Sequence, residues 1–206
     1  MSLKTNYNEI LFEVANDVAW ITINRPQVRN AFREQTLDEL IEAVKSTRED
    51  PSIVAAVVTG AGDKAFSAGG DFDAMMKLNR ANAMHWNDRM LGLAMTIRGA
   101  PIPIIAMVHG ACMGGGHELA LWCDLVISAE DGVFGQTGAK VGACPTVGAT
   151  QYIPRLIGDR LAKEMIFLCR TFTADEAVRI GLINKVVPKK DLKKETEAWC
   201  QQMKGY

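Results

Sequence analysis

Twice along this chain an apolar strand signal runs straight into a glycine-bearing loop that opens toward a helix, and no other feature restricts the fold as much. Residues 53–59 form an apolar run of the kind expected of a strand buried on both faces. It leads through Gly60-Ala61-Gly62 to the loop Ala65-Phe66-Ser67-Ala68-Gly69-Gly70-Asp71. Residues 104–108 form a second such strand, set off by Pro101 and Pro103. It leads to His109-Gly110-Ala111-Cys112-Met113-Gly114-Gly115-Gly116-His117-Glu118. Strands separated by helices need crossover connections, so the fold class is α/β with helices packed on sheet.

The remaining signals fit that frame. Residues 18–23 read as a β-rich strand closed by Asn24-Arg25-Pro26. Thr36 and Glu39 have capping-box spacing, and Leu37, Leu40, Ile41 and Val44 share one helical face. Residues 79–97 read as a helix with a face of Met and Leu, residues 125–128 and 183–187 as strands, and Thr173 with Glu176 as a second capping box. There is no internal repeat and no low-complexity linker, so residues 1–206 read as one domain.

Composition removes several function classes. With 23 basic and 24 acidic residues among 206, the net charge is −1, without the basic stripe of a nucleic-acid binder. The one basic cluster, Lys189, Lys190, Lys193 and Lys194, reads as a solvated helix end. No apolar run is long enough to span a bilayer, and the first nine residues lack the apolar core of a signal peptide, so the expectation is a cytoplasmic enzyme. The five cysteines and three histidines stand at no metal-ligand spacing, so no metal site is expected. Cys112, Cys123 and Cys169 lie in apolar stretches, as small hydrophobes do.

Each glycine loop can aim backbone N–H groups at a negative oxygen, and glycine lets that oxygen approach closely. A helix starting near Gly116 adds the positive end of its dipole. Two donors from separate loops suit a carbonyl that becomes an enolate. A phosphate-binding loop is the competing reading. The first loop, however, lacks a Gly-Lys-Ser/Thr ending, and the second lacks dinucleotide-fingerprint spacing.

Asn24-Arg25-Pro26, Asn30-Ala31-Phe32, the two glycine loops with Glu118-Leu119-Ala120, Phe134-Gly135-Gln136, Gln151 and Gly181-Leu182-Ile183 together resemble the crotonase (enoyl-CoA hydratase/isomerase) superfamily over nearly the whole chain. The resemblance implies a superhelix of ββα units and an acyl-CoA substrate, so that coenzyme A arrives as part of the substrate and no cofactor is tightly bound. It also implies a homotrimer or a dimer of trimers. By the same resemblance, the backbone N–H groups of Ala68 and Gly115 form the oxyanion hole and Glu118 is the acid/base. Substrate or CoA contacts fall on Arg29, Lys64, Ala65, Ser67, Gly69, Asp71, Gly114, Gln136, Gly138 and Pro145. Family members continue for a few more helices after Val187-Pro188, so the domain is expected to lack the usual C-terminal helices.

The chain departs from the hydratase pattern in one respect. Hydratases of this family carry two glutamates; the first matches Glu118, but the second matches Gly138, which cannot transfer a proton. The segments around Asn24 to Arg33 and Phe134 to Gly142 resemble 1,4-dihydroxy-2-naphthoyl-CoA synthases, some of which hold bicarbonate near a Gln-Thr-Gly segment that matches Gln136 to Gly138. Their catalytic aspartate position holds Pro145 here, and a bicarbonate-associated tryptophan position holds Ile166. Three readings therefore stand: a hydratase/isomerase relying on Glu118, a ring-processing enzyme using bicarbonate, and a non-catalytic CoA-binding or scaffold homologue. Asp71 has a further reading as the cap of the next helix, His117 as a locally bonded side chain, and Cys144 as a nucleophile for which no histidine stands near in sequence.

Overall fold

The computed structural model describes residues 6–204. A hairpin of β1 (Ile10–Ala15) and β2 (Val18–Ile23) turns through Asn16 and Asp17, both left-handed (φ 54° and 64°), the conformation a two-residue hairpin loop requires. Then come α1 (Glu34–Ser46), β3 (Ala55–Gly60), β4 (Ala65–Ser67), α2 (Phe72–Met75) and α3 (Ala83–Arg98). The middle of the chain gives β5 (Ile104–Val108), β6 (Ala111–Met113), α4 (Gly115–Trp122), β7 (Leu125–Ala129) and β8 (Val133–Gly135). The described chain ends with α5 (Ala149–Ile157), α6 (Asp159–Phe167), β9 (Thr171–Thr173), α7 (Ala174–Arg179), β10 (Lys185–Val187) and α8 (Leu192–Met203).

Six strands form one sheet in the order β1-β2-β3-β5-β7-β10, parallel except for β1. Four short ones form a second sheet in the order β4-β6-β8-β9, with β9 antiparallel. Three successive strand pairs (β3 then β4, β5 then β6, β7 then β8) each lay one strand in the large sheet and the next in the small one. The carboxyl ends of the parallel strands β4, β6 and β8 therefore lie side by side. Three loops far apart in sequence meet there, beginning at Ala68, Gly114 and Gln136.

The continuous apolar run of β3 is explained by burial on both faces. Ala56 and Val58 join a core cluster with Leu37, Leu40 and Val44 of α1 and Leu93 and Ile97 of α3, while Ala55 and Val57 face Leu192 and Cys200 of α8. The strand begins two residues later than the sequence reading, and α3 begins at Ala83 rather than residue 79. The capping box at Thr36 also needs correction. The N-cap of α1 is Arg33, whose N–H donates to Thr36 Oγ1 at 3.2 Å. Glu39 instead accepts the Asn8 and Glu9 N–H groups ahead of β1, at 3.1 and 2.8 Å. A second pairing thus took the carboxylate that the spacing assigned to the cap. At Thr173 the box forms as read, with Glu176 N–H donating to Thr173 Oγ1 and Thr173 N–H to Glu176 Oε2.

No helix among the described residues is long and apolar enough to cross a membrane.

Candidate active site

The first loop is fixed mostly by bonds to residues 29–32. Asn30, left-handed at φ 55°, donates its side-chain amide to Ala61 O and Ala65 O at 2.9 and 2.7 Å. Ser67, fully buried, donates Oγ to Asn30 O at 2.8 Å and accepts the Gly69 N–H at 3.1 Å. Ala68 N–H donates to Arg29 O at 3.0 Å, Phe32 N–H to Gly69 O at 2.8 Å, and Asp71 N–H to Phe32 O at 2.9 Å. That leaves the Gly70 N–H without an acceptor among the described residues.

This overturns the reading of Ala68 as an oxyanion donor, because its N–H is already committed to a carbonyl. The free donor lies two residues further on, at Gly70. The Ser67 hydroxyl and the Gly69 backbone groups are likewise engaged, with each other and with Asn30 and Phe32. Asp71 is turned inward rather than toward the cavity. It caps α2 through Ala74 N–H at 3.2 Å and pairs with Arg25 Nη1 at 2.9 Å. Burial opposes its ionisation, but the Ala74 N–H and Arg25 hold its carboxyl below the usual range.

The second loop meets the first at Gly69. With φ at +92°, a side chain there is strained, and a Cβ would lie 2.8 Å from both Gly115 N and Met113 O. Gly114 adopts φ 52° and donates its N–H to Gly135 O at 2.9 Å. α4 then starts at Gly115, whose N–H belongs to the first turn and has no intrahelical partner. A Cβ at Gly116 would sit 2.3 Å from Ser67 O, so the helix can approach β4 only with glycine there.

Gly70 and Gly115 line one cavity of about 480 Å³ together with Glu118, Gln136, Gly138 and Thr146. Glu118 is only 4% exposed, and its Oε1 accepts N–H groups from Thr146 and Val147 at 3.1 and 3.0 Å. Burial raises its carboxyl above the usual value, and those backbone bonds oppose the rise without cancelling it. A carboxylate tuned upward beside two free N–H donors is equipped to exchange a proton with a bound carbonyl compound.

The other residues divide clearly. Gln136 Nε2 contacts Gly114 O at 3.3 Å and His117 Nδ1 at 3.2 Å, so its amide nitrogen is already engaged. His117 is fully enclosed, and burial pushes it down to about 4, which keeps the ring neutral. Its Nδ1 faces Gln136, so Cys144, exposed on the cavity wall, has no imidazole base from it. Gly138 lines the cavity with its Cα close to the Ala143 backbone, where an added Cβ would lie 3.1 Å from Ala143 O. Gly114 and Pro145 line the same cavity. Arg29, Lys64 and Ala65 do not; they line a separate cleft of about 160 Å³ with Gly62 and Asp63. Met75 and Met90 face the cavity, while Met84 and Met95 line a different groove.

Sequence reasoning missed Gly70 and the Thr146–Val147 peptide. A run of Gly-Gly gives no sign of which N–H another loop's carbonyl will occupy. Backbone donors of a loop rich in small residues leave no sequence signal of their own. Among the described residues, no group of three or more His, Cys, Asp or Glu side chains is arranged to hold a metal ion.

A family model described as enoyl-CoA hydratase/isomerase matches residues 13–205. Among solved structures, the chain is similar to an enoyl-CoA hydratase from Bacillus anthracis, with 32% identity and a TM-score of 0.93, over 97% of this chain and 78% of that one. It is similar to an enoyl-CoA hydratase/carnitine racemase from Magnetospirillum magneticum at 32% identity and a TM-score of 0.92, over 98% and 76% of the two chains. It is also similar to DspI of Pseudomonas aeruginosa, at 31% identity and a TM-score of 0.93, over 98% and 82%.

Proposed function

The chain belongs to the enoyl-CoA hydratase/isomerase family, and from that premise we propose that it performs enolate chemistry on an acyl-CoA thioester, with Glu118 as its single proton-transfer group. The observation that carries this reading is the convergence of two unpaired N–H groups, from Gly70 and Gly115, and one buried carboxylate on the same cavity. The thioester oxygen accepts both N–H groups. As a proton leaves carbon, negative charge gathers on that oxygen, where the two donors and the start of α4 stabilise it. Glu118 takes the proton and returns it to another carbon of the same enolate, which moves the double bond. The same carboxylate delivers water across a 2-enoyl thioester in the hydration reading. Gly138 offers no second carboxylate, so a reaction needing only one acid/base group fits this cavity better than one needing two.

The CoA moiety is assigned to the cleft of Arg29 and Lys64, whose cations suit phosphate. Assembly as a trimer or a dimer of trimers belongs to the same proposal. Exposed Phe167 and Leu168 are apolar surface such an assembly would cover, and light scattering measures it. In the bicarbonate reading, Gln136 would have to give up its bonds to Gly114 O and His117 to hold the anion.

The deciding experiment follows the enoyl-thioester absorbance band with 3-enoyl-CoA and 2-enoyl-CoA substrates, for wild type and Glu118→Gln, with and without bicarbonate. Glu118-dependent gain of the band from 3-enoyl-CoA supports double-bond migration, and Glu118-dependent loss from 2-enoyl-CoA supports hydration. Turnover that requires bicarbonate and survives Glu118→Gln would sink the reading.

A further inference from the structure

The groups that hold Glu118 do not belong to the helix that carries it. Both N–H donors come from the segment after the 3-10 turn Gly138–Val141, where Thr146 is exposed and Val147 only half-buried. A segment so lightly packed does not hold a peptide plane in place by itself. One turn further along α4, however, Trp122 donates its indole Nε1 to Val147 O at 2.7 Å. Positions four apart share a helix face, so Glu118 and Trp122 reach the same residue from one side. Val147 is thereby held at its N–H by the carboxylate and at its C=O by the indole. The indole is 1% exposed, and its N–H needs a partner there. Gly148 follows at φ +93°, where a Cβ would lie 3.1 Å from the Tyr152 ring and 3.7 Å from the indole nitrogen. The chain after Val147 thus passes directly against the indole and the Tyr152 ring.

We infer that Trp122 is a positioning residue: by holding the Val147 carbonyl it fixes the two N–H groups that aim the Glu118 carboxylate into the cavity. The inference rests on Glu118 being the proton-transfer group. The Ala149 N–H at the start of α5 also bears on this carboxylate and favours its charged form. Lys140 and Cys144 line the cavity from the loop, His117 is neutral, and Arg98 and Asp88 line the apolar groove on the far side of Trp122. From α3 the cavity receives only Trp86 and Met90, which do not titrate.

The test is Trp122→Phe, which keeps an aromatic ring and removes the donor. A second variant carries benzothienylalanine at position 122, with the indole's shape and no N–H, in case the smaller ring disturbs folding. The Glu118 carboxyl is titrated by carbon NMR in each protein, alongside the pH profile of kcat and KM and the affinity for CoA. A slack segment donates less well to the carboxylate, so the Glu118 titration moves to higher pH and the acid limb of kcat moves with it. Loss of one hydrogen bond's worth of positioning lowers kcat by about five- to tenfold, with KM and CoA affinity unchanged. A Glu118 titration and an acid limb that stay in place in a variant that still binds CoA overturn the inference, leaving Trp122 as core packing. If the wild type turns over no acyl-CoA, the functional reading fails, but the NMR titration still decides whether Trp122 holds the Glu118 donors.

Discussion

The two walls of the cavity are built on opposite terms. On one side, every residue of α4 from Gly116 to Trp122 is buried, and a Cβ added at Gly116 or Gly69 would strike backbone of the facing loop within 3 Å. On the other, residues 139–142 are exposed, and a Cβ at Gly142 meets nothing within 4 Å. Gly138, just ahead of that stretch, is held more tightly, since a Cβ there would lie 3.1 Å from Ala143 O. The packed wall carries the Gly70 and Gly115 N–H groups and Glu118, the groups on which the proposed enolate chemistry rests. Change is cheap at residues 139–142 and costly on the packed wall, so the groups of the proposed chemistry sit where packing is densest.

The largest effect is expected on the packed wall. Glu118→Gln keeps an acceptor for the Thr146 and Val147 N–H groups but cannot take a proton. Turnover should fall by about 10²- to 10⁴-fold with CoA affinity unchanged, as steady-state kinetics and calorimetry would register. Next comes Gly69→Ala. Forcing φ +92° on alanine costs about 1–3 kcal/mol for the backbone alone, and the contact with Gly115 N pushes the two donor loops apart. A lower urea midpoint together with reduced kcat is expected. On the loose wall, Gly142→Ala meets only the left-handed penalty of about 1–2 kcal/mol, with kcat within about twofold of wild type. If Gly142→Ala lost as much turnover as Gly69→Ala, the contrast between the walls would be wrong.

The same contrast accounts for what could be read from the chain alone. β2 was legible because its β-branched run is long and ends at a proline turn, and β3 because burial on both faces leaves no polar position in its centre. The start of α4 was legible because three glycines mark it. The hairpin strand β1 was missed, since it buries only Ile10 and Phe12 and its outer half is exposed. The strands of the small sheet are three residues each, too short to display a period. At the site, Glu118 and Gly115, read from the resemblance as acid/base and oxyanion donor, both line the cavity, and side-chain chemistry and a helix start are written in residue types. Gly70 was not legible, because the choice between it and Ala68 depends on a carbonyl of Arg29 that arrives from a distant turn.

The smallest expected effect tests whether Glu118 is held as described. Its carboxyl is raised in the folded protein, first by burial, with the Val147 and Thr146 N–H groups opposing. In the unfolded chain it returns to the ordinary glutamate value. The native state then binds this proton more tightly than the unfolded state does. The stability it contributes is present below the ordinary value and is lost as pH rises through the raised one. Glutamine does not ionise and escapes that loss. The melting temperature of Glu118→Gln should therefore gain on wild type as pH rises from the ordinary glutamate value through the raised one, then level off once the wild-type carboxyl has fully ionised. The pH at which the gain develops should coincide with the acid limb of wild-type turnover, since one carboxyl governs both. A variant that instead loses ground to wild type over this interval would mean that the two N–H bonds outweigh burial. Glu118 would then stay ionised to lower pH than its enclosure implies, and the packed wall would be stabilising its charge rather than straining it.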